Sequence, residues 1–400
     1  MGFITLRQIE EIQIALSYVF INWDVYKMNQ KDDERKKVVS YKKRIHCMDK
    51  ELYISTYPLL VQDSIVTCCV DVSLITLTRF LAHFGMATRL SVRDTCGEDF
   101  HSRYPKVLTE SYFLDTCRKR KIPLKSVSID IDDLKWKKEL PVEKQTIPGM
   151  VTLLTWEGLA DYINVYIDSN LPVFLFTIDH VVQIIGYVVR NGKVRHIIYD
   201  DSGYNDLKSQ KEQTSFSGRC IYDIDLYEYI CGIIYSPEDE NTSKGDTIIS
   251  LCIPTFARVY IDYPNYETFV RKRLKYLAKN SDAFDCLFDD NDLYSKNIKI
   301  KSSLMECSRL INHLNDNLAA IKRAGPEAAP VISDQESIVS QLEKTPMPHY
   351  VWYTEITVSP KNIIALCADP TRYFVTDNPE KVFFNGNNQT IWIYKSYFNI

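Results

Sequence analysis

A chain of 400 residues can bury a large core, and its length favours two domains over one. Hydrophobic residues make up 45% and charged residues 25%, and the net charge of −4 excludes the broad electrostatic grip on which nucleic-acid binding depends. No apolar stretch approaches the ~20 uninterrupted residues of a membrane helix, so neither nucleic acid nor membrane is an expected partner.

The first residues lack a basic stretch leading into an apolar core, the pattern of a secretory signal. Eleven cysteines are spread without metal-type pair spacing. Reduced thiols in a cytoplasmic protein are therefore expected, with no metal and no other cofactor. The 26 tyrosines lie in apolar runs, not along a basic stripe, as expected of packing residues.

In chain order, Leu6–Tyr26 shows helical periodicity. The charge run Lys31–Arg44 reads as a solvated helix face or connector, which gives an N-terminal helical segment over residues 1–50. Next, Leu74, Leu77, Leu81 and Phe84 recur at three- and four-residue steps. That spacing predicts a helix from near Cys69 to Phe84 with Gly85 as its C-terminal cap. Leu108–Lys119 reads as helix and Val127–Leu134 as strand. Thr155 is placed to cap a helix whose apolar face includes Leu159, Ile163, Tyr166 and Ile167.

Strands are expected at Pro172–Phe176, His180–Tyr187 and Lys193–Tyr199. The last two flank Asn191–Gly192, the strongest short hairpin signal. Ile221–Tyr235 adds further strand. The polar, acidic stretch Ser236–Thr247 marks a boundary between a domain over 51–240 and a second α+β domain over 246–400. In the latter, Ile248–Ile261 reads as strand, and Tyr266–Lys279 and Ser302–Arg323 as helices. Tyr350–Val358, Asn362–Cys367 and Gln389–Tyr394 read as strands.

The chemistry lies in the first domain. Cys69 opens a helix, where unpaired backbone N–H groups favour a thiolate. His180 starts an apolar strand and Asp200 ends the next one. A thiol needs a base to become a nucleophile, and the base needs an orienting carboxylate. Gln62, seven residues before Cys69, has a side-chain amide suited to an oxyanion. Two neighbours compete: Cys68 for the nucleophile, and Asp201 for the orienter. Helix geometry lets only one of the two consecutive cysteines face His180.

This order resembles the papain-like fold, most closely the bacteriocin-leader-processing peptidases and their stand-alone relatives. The matching residues are Gln62, Cys69, Ser73-Leu74, Gly85, His180-Val181-Val182, Gly186-Tyr187 and Tyr199-Asp200, all within 57–235. The resemblance implies an α+β fold in which a helix carrying the cysteine packs on an antiparallel sheet carrying the histidine and aspartate. It implies Cys69 as nucleophile, His180 as base and acid, Asp200 as orienter and Gln62 in the oxyanion hole. The expected reaction is hydrolysis of a peptide or isopeptide bond in a protein or peptide substrate. The family's Gly-Pro after the cysteine is Val70-Asp71 here, and an acid in that turn opposes a thiolate. Two alternatives stay open: acyl transfer by the same triad, as in transglutaminase-like enzymes, and a catalytically inactive binding module. The aromatic strand Pro348–Val358 is a candidate surface for a protein partner of the second domain.

Overall fold

A computed structural model of the chain describes residues 2–9, 12–21, 23, 35–47, 50–61, 69–90, 94, 109–131, 155–177, 180–199, 221–234, 248–260, 262–280, 299–323, 336, 339–340, 343, 348–359, 362–371 and 390–395. They fall into two units, one running to Ala257 and the other from Arg258. Both mix α and β, and every strand pair among the described residues is antiparallel.

The first unit opens with a hairpin of β1 (Gly2–Ile9) and β2 (Ile12–Ile21), where a helix over 6–26 was expected. The segments TLRQI and IQIALSYVFI are dense in β-branched and aromatic residues, which suit a pleated surface better than a helix turn. The charge run also forms strand: β3 (Arg35–Val38) and β4 (Tyr41–Cys47), the latter paired with β5 (Lys50–Thr56). Alternating exposure along Tyr41–Ile45 of β4 lets Lys42 and Arg44 stand in solvent while the backbone pairs. Among the described residues of the expected N-terminal helical segment over 1–50, the elements are therefore strands, with Trp23 alone helical. Short β6 (Leu59–Val61) joins β2.

The central helix α1 spans Cys69–His83. From Cys69 to Leu81 every residue is buried except the half-buried Arg79. A helix enclosed on nearly all sides belongs in the middle of a core. It ends as expected: Gly85 takes φ +69°, and Met86 N–H donates to Leu81 O at 3.0 Å. Helix α2 (Glu110–Lys119) and strand β7 (Leu124–Asp130) follow. Then comes α3 (Trp156–Asp168), whose cap Thr155 accepts from Gly158 N–H at 2.9 Å.

Strands β8 (Val173–Phe176), β9 (Val181–Arg190) and β10 (Lys193–Tyr199) form consecutive hairpins. Asn191 and Gly192 both adopt positive φ, 51° and 75°, as the two-residue turn between β9 and β10 requires. The main sheet runs β11-β10-β9-β8-β12-β7, with β3 also paired to β9. Here β11 is Ile221–Ile224 and β12 is Ile248–Pro254.

Two boundaries differ from expectation. The run Ile221–Tyr235 is not all strand: after β11, Asp225 Oδ1 accepts from Tyr227 and Glu228 N–H and starts α4 (Leu226–Ile234). And β12 pairs with both β8 and β7, so it belongs to the first unit. The division lies at 257/258, not at 236–247. A polar surface stretch can punctuate a domain as well as separate two.

One irregularity orients the sheet. Ile197 pairs with Gly186 but Ile198 with Ile184, so Ile185 is an extra residue on β9. The bulge reverses the facing of β9. Before it, Gln183 reaches α1; after it, the Tyr187 hydroxyl donates to Asp168 Oδ1 on α3 at 2.8 Å. Phe174, opposite Gln183, packs at a tilt against Phe113 of α2, ring centroids 5.2 Å apart. Helices α1 and α2 thus cover one face of the sheet and α3 the other. Gly186 sits where β3 crosses closely: a Cβ there would lie 2.5 Å from Lys37 O.

The second unit holds a sheet in the order β13-β14-β15-β16 (Lys299–Glu306, Tyr350–Ser359, Asn362–Ala368 and Thr390–Lys395). Its helices are α5 (Tyr263–Asn280) and α6 (Cys307–Arg323). The expected helix over Ser302–Arg323 is therefore strand for its first five residues, where Ser302–Glu306 pairs with Tyr350–Thr354. The aromatic strand β14 serves its own core. Val351, Trp352, Tyr353 and Ile356 are buried, and Tyr266 of α5 stacks on Trp352 at 5.0 Å.

Candidate functional site

The last rung of the β9–β10 ladder is Gln183 opposite Tyr199. Residues directly opposite in an antiparallel pair share a face, and both side chains are buried on the α1 side. Gln183 is a buried polar residue within the apolar run Val181–Ile185, and its amide is satisfied from two segments. Oε1 accepts from the Tyr57 hydroxyl at 2.8 Å and from Thr76 Oγ1 at 3.1 Å, while Nε2 donates to Ser73 Oγ at 3.4 Å. Enclosure in this network pushes the Tyr57 phenol far above its ordinary pKa, chiefly by desolvation. The Tyr199 hydroxyl accepts from Leu60 N–H at 2.9 Å and also meets Leu60 O.

These contacts position the predicted site residues. Cys69, Ser73 and Thr76 stand at i, i+4 and i+7, one face of α1. Since Ser73 and Thr76 both touch Gln183, Cys69 lies on the β9-facing side, about 6 Å along the axis from Ser73. Cys69 is the first helical residue and is 4% exposed. His180 leads into β9, three residues or about 10 Å of strand before Gln183. It is half-buried, and its carbonyl accepts from Thr177 N–H at 2.9 Å and from Thr177 Oγ1 at 3.2 Å, closing the β8–β9 turn.

Gln62 and Asp200 lie outside the described residues, as do Cys68 and Asp201. Their flanks are described. Val61, next to Gln62, ends β6, whose Leu60 is held by Tyr199. Tyr199, next to Asp200, ends β10. The segments that lead into all four predicted residues therefore meet at the Gln183–Tyr199 rung.

One geometric demand remains on His180. Strict alternation from Gln183 assigns residue 180 to the opposite, α3-facing side of the sheet. A pairing with Cys69 requires His180 to depart from alternation at the turn, one residue before β9 begins.

Asp71, in the first turn of α1, is buried at 3% exposure, with the Tyr112 hydroxyl 3.4 Å from its Oδ1. No group of three or more His, Cys, Asp or Glu side chains among the described residues is arranged to hold a metal ion. No described helix is long and apolar enough to cross a membrane. Comparisons with protein-family models, curated proteins and solved structures found no match for this chain.

Proposed function

We propose that the first unit is a cysteine hydrolase of papain-like order acting on a peptide or isopeptide bond. The observation that carries this reading is the meeting of four segments at one rung: β6 leading to Gln62, α1 opening at Cys69, β9 following His180, and β10 leading to Asp200. A triad drawn from distant parts of a chain needs such a hub to fix its geometry.

In this reading the Cys69 thiol passes its proton to His180, and Sγ attacks the substrate carbonyl. The tetrahedral oxyanion is received by the Cys69 backbone N–H, which has no intrahelical acceptor at the helix start, and by the Gln62 amide. His180 returns the proton to the leaving amine as the C–N bond breaks, which leaves a thioester. Water, deprotonated by His180, then cleaves the thioester and restores the thiol. Asp200 orients the imidazole, and Asp201 is the alternative orienter. A reducing, cytoplasmic setting suits a free nucleophilic thiol.

A second reading is favoured by the enclosure of Cys69 and by the buried carboxyl of Asp71 in the same turn. On that reading the fold is kept as a binding scaffold and Cys69 is a packing thiol. The two readings part on chemical reactivity. Alkylation of Cys69 near neutral pH that depends on His180 supports the hydrolase, and an inert Cys69 supports the scaffold.

A further inference from the structure

Strand β8 ends at Phe176 and β9 begins at Val181, and these two residues face each other as the last rung before the turn. Both are buried, and the Phe176 ring meets Phe113 of α2 edge-on, centroids 5.2 Å apart. One residue further out stand Thr177 and His180, both half-buried, where the chain leaves the core. Thr177 N–H donates to His180 O at 2.9 Å, and Thr177 Oγ1 donates to the same oxygen at 3.2 Å. From this double donation we infer that Thr177 is a positioning residue for His180, an inference that rests on the hydrolase reading proposed above.

A carbonyl oxygen has two lone pairs, and one residue here supplies a donor to each. The peptide unit is planar, so holding the oxygen twice fixes the plane of the His180–Val181 peptide and the place of His180 Cα. That atom is the pivot from which the imidazole extends. The backbone N–H alone would leave the plane free to tilt about a single bond. The hydroxyl removes that freedom, and it comes from a residue whose neighbour Phe176 is locked in the core.

A catalytic base works only when it is held close to its productive geometry. His180 must leave strict alternation to reach the α1 side of the sheet. That departure has to occur at the bonds of His180 itself and in the turn before it, because the peptide that follows is tied to the ladder. Thr177 therefore sets the fixed end from which the imidazole is aimed. Closing the turn needs only the backbone bond, and the β-branched shape that suits a strand is shared by valine. The hydroxyl is the part with a separate role.

The test is the rate of Cys69 alkylation by iodoacetamide in the full chain across graded pH, in wild type, Thr177→Val, Thr177→Ser and His180→Ala. In Thr177→Val the rate near neutral pH should fall about fivefold, the scale of one neutral hydrogen bond. The midpoint of its pH profile should move up towards that of His180→Ala. Thr177→Ser, which keeps the hydroxyl, should stay close to wild type. A turn residue without a positioning role would leave the midpoint of the folded protein where it is. Circular dichroism establishes that each variant is folded, and Thr177→Ala is the substitute if Thr177→Val is not. A His180-dependent profile that Thr177→Val leaves unmoved, or a Thr177→Ser variant as slow as Thr177→Val, overturns the role of Thr177 alone. Slow labelling of Cys69 in wild type that is indifferent to His180→Ala overturns the hydrolase reading and this inference with it.

Discussion

Gln183 and Tyr199 face each other as the last rung between β9 and β10, and each ties a different segment to the sheet. Gln183 holds Tyr57 and α1; Tyr199 holds Leu60 of β6. Neither is a catalytic residue in the reading advanced here. Both are positioning residues, because the chain entering each candidate catalytic position passes through what they hold.

Replacing Gln183 by Leu keeps the volume and removes the amide, leaving Tyr57, Ser73 and Thr76 with a lost partner in a buried site. The expected loss is about 2–3 kcal/mol, the cost of buried polar groups deprived of a bond. Urea unfolding followed by tryptophan fluorescence measures it. On the hydrolase reading the same variant also slows Cys69 alkylation in the folded state. A normal rate would show that α1 does not need Gln183 for its placement.

Gly186→Ala tests the crossing of β3 over β9. The new methyl would meet Lys37 O at 2.5 Å and Ile197 Cδ1 at 3.1 Å. Backbone cannot retreat as a flexible side chain can, so a destabilisation of about 1–3 kcal/mol is expected. Unchanged stability would mean that β3 is not held against β9 at this point.

Much of this arrangement is legible in the sequence because the signals are local. Asn191–Gly192 demands positive φ twice, Thr155 offers a cap oxygen, and Gly85 follows a regular apolar stripe. Each shows up as written. Gln183, by contrast, carries no local signal of its role, because its partners Ser73 and Tyr57 lie more than a hundred positions away in the chain. Residues 6–26 and 31–44 misled because apolar spacing and charge were weighed without pairing. A strand gains its stability from a neighbour that local sequence does not name. The bulge at Ile185 is likewise a product of the ladder.

His196 makes the fold sensitive to acid. It is buried on the α3 face, with Nε2 3.1 Å from Asn164 Oδ1 and Nδ1 without a hydrogen-bond partner among the described residues. Burial lowers its pKa from 6.5 to about 4, against a smaller opposing influence from Asp225. Between those values the unfolded chain binds a proton that the folded chain refuses. The stability is therefore fully present above pH 6.5 and is lost as the pH falls towards 4, by up to about 3 kcal/mol. Urea midpoints at pH 7 and pH 5 measure it. His196→Gln should flatten the difference, and an equal slope in that variant would assign the acid sensitivity elsewhere.

Asp223 closes β11 onto the hairpin. At 4% exposure its Oδ1 accepts from Arg195 Nε at 2.9 Å, and its Oδ2 forms an ion pair with Arg190 at 2.9 Å. Removing the carboxylate by Asp223→Ala leaves two guanidinium groups facing one another beside a buried strand. A loss of about 3 kcal/mol is expected, the scale for breaking a buried pair from one side. Denaturant unfolding checks it, and a loss under about 1 kcal/mol would class the bridge with exposed ion pairs.

The hydrolase reading requires Cys69 and His180 to act together. The measurement that tests it most directly is iodoacetamide labelling of the native chain at graded pH, mapped by mass spectrometry, in the wild type and in His180→Ala. Other thiols provide internal references: burial pushes Cys117 up to about 12 and also raises Cys231, Cys252, Cys307 and Cys367. The expected result is labelling of Cys69 near neutral pH that is lost when His180 is removed. Labelling of Cys69 no faster than the buried Cys117, Cys252 and Cys367, or unaffected by His180→Ala, would contradict it.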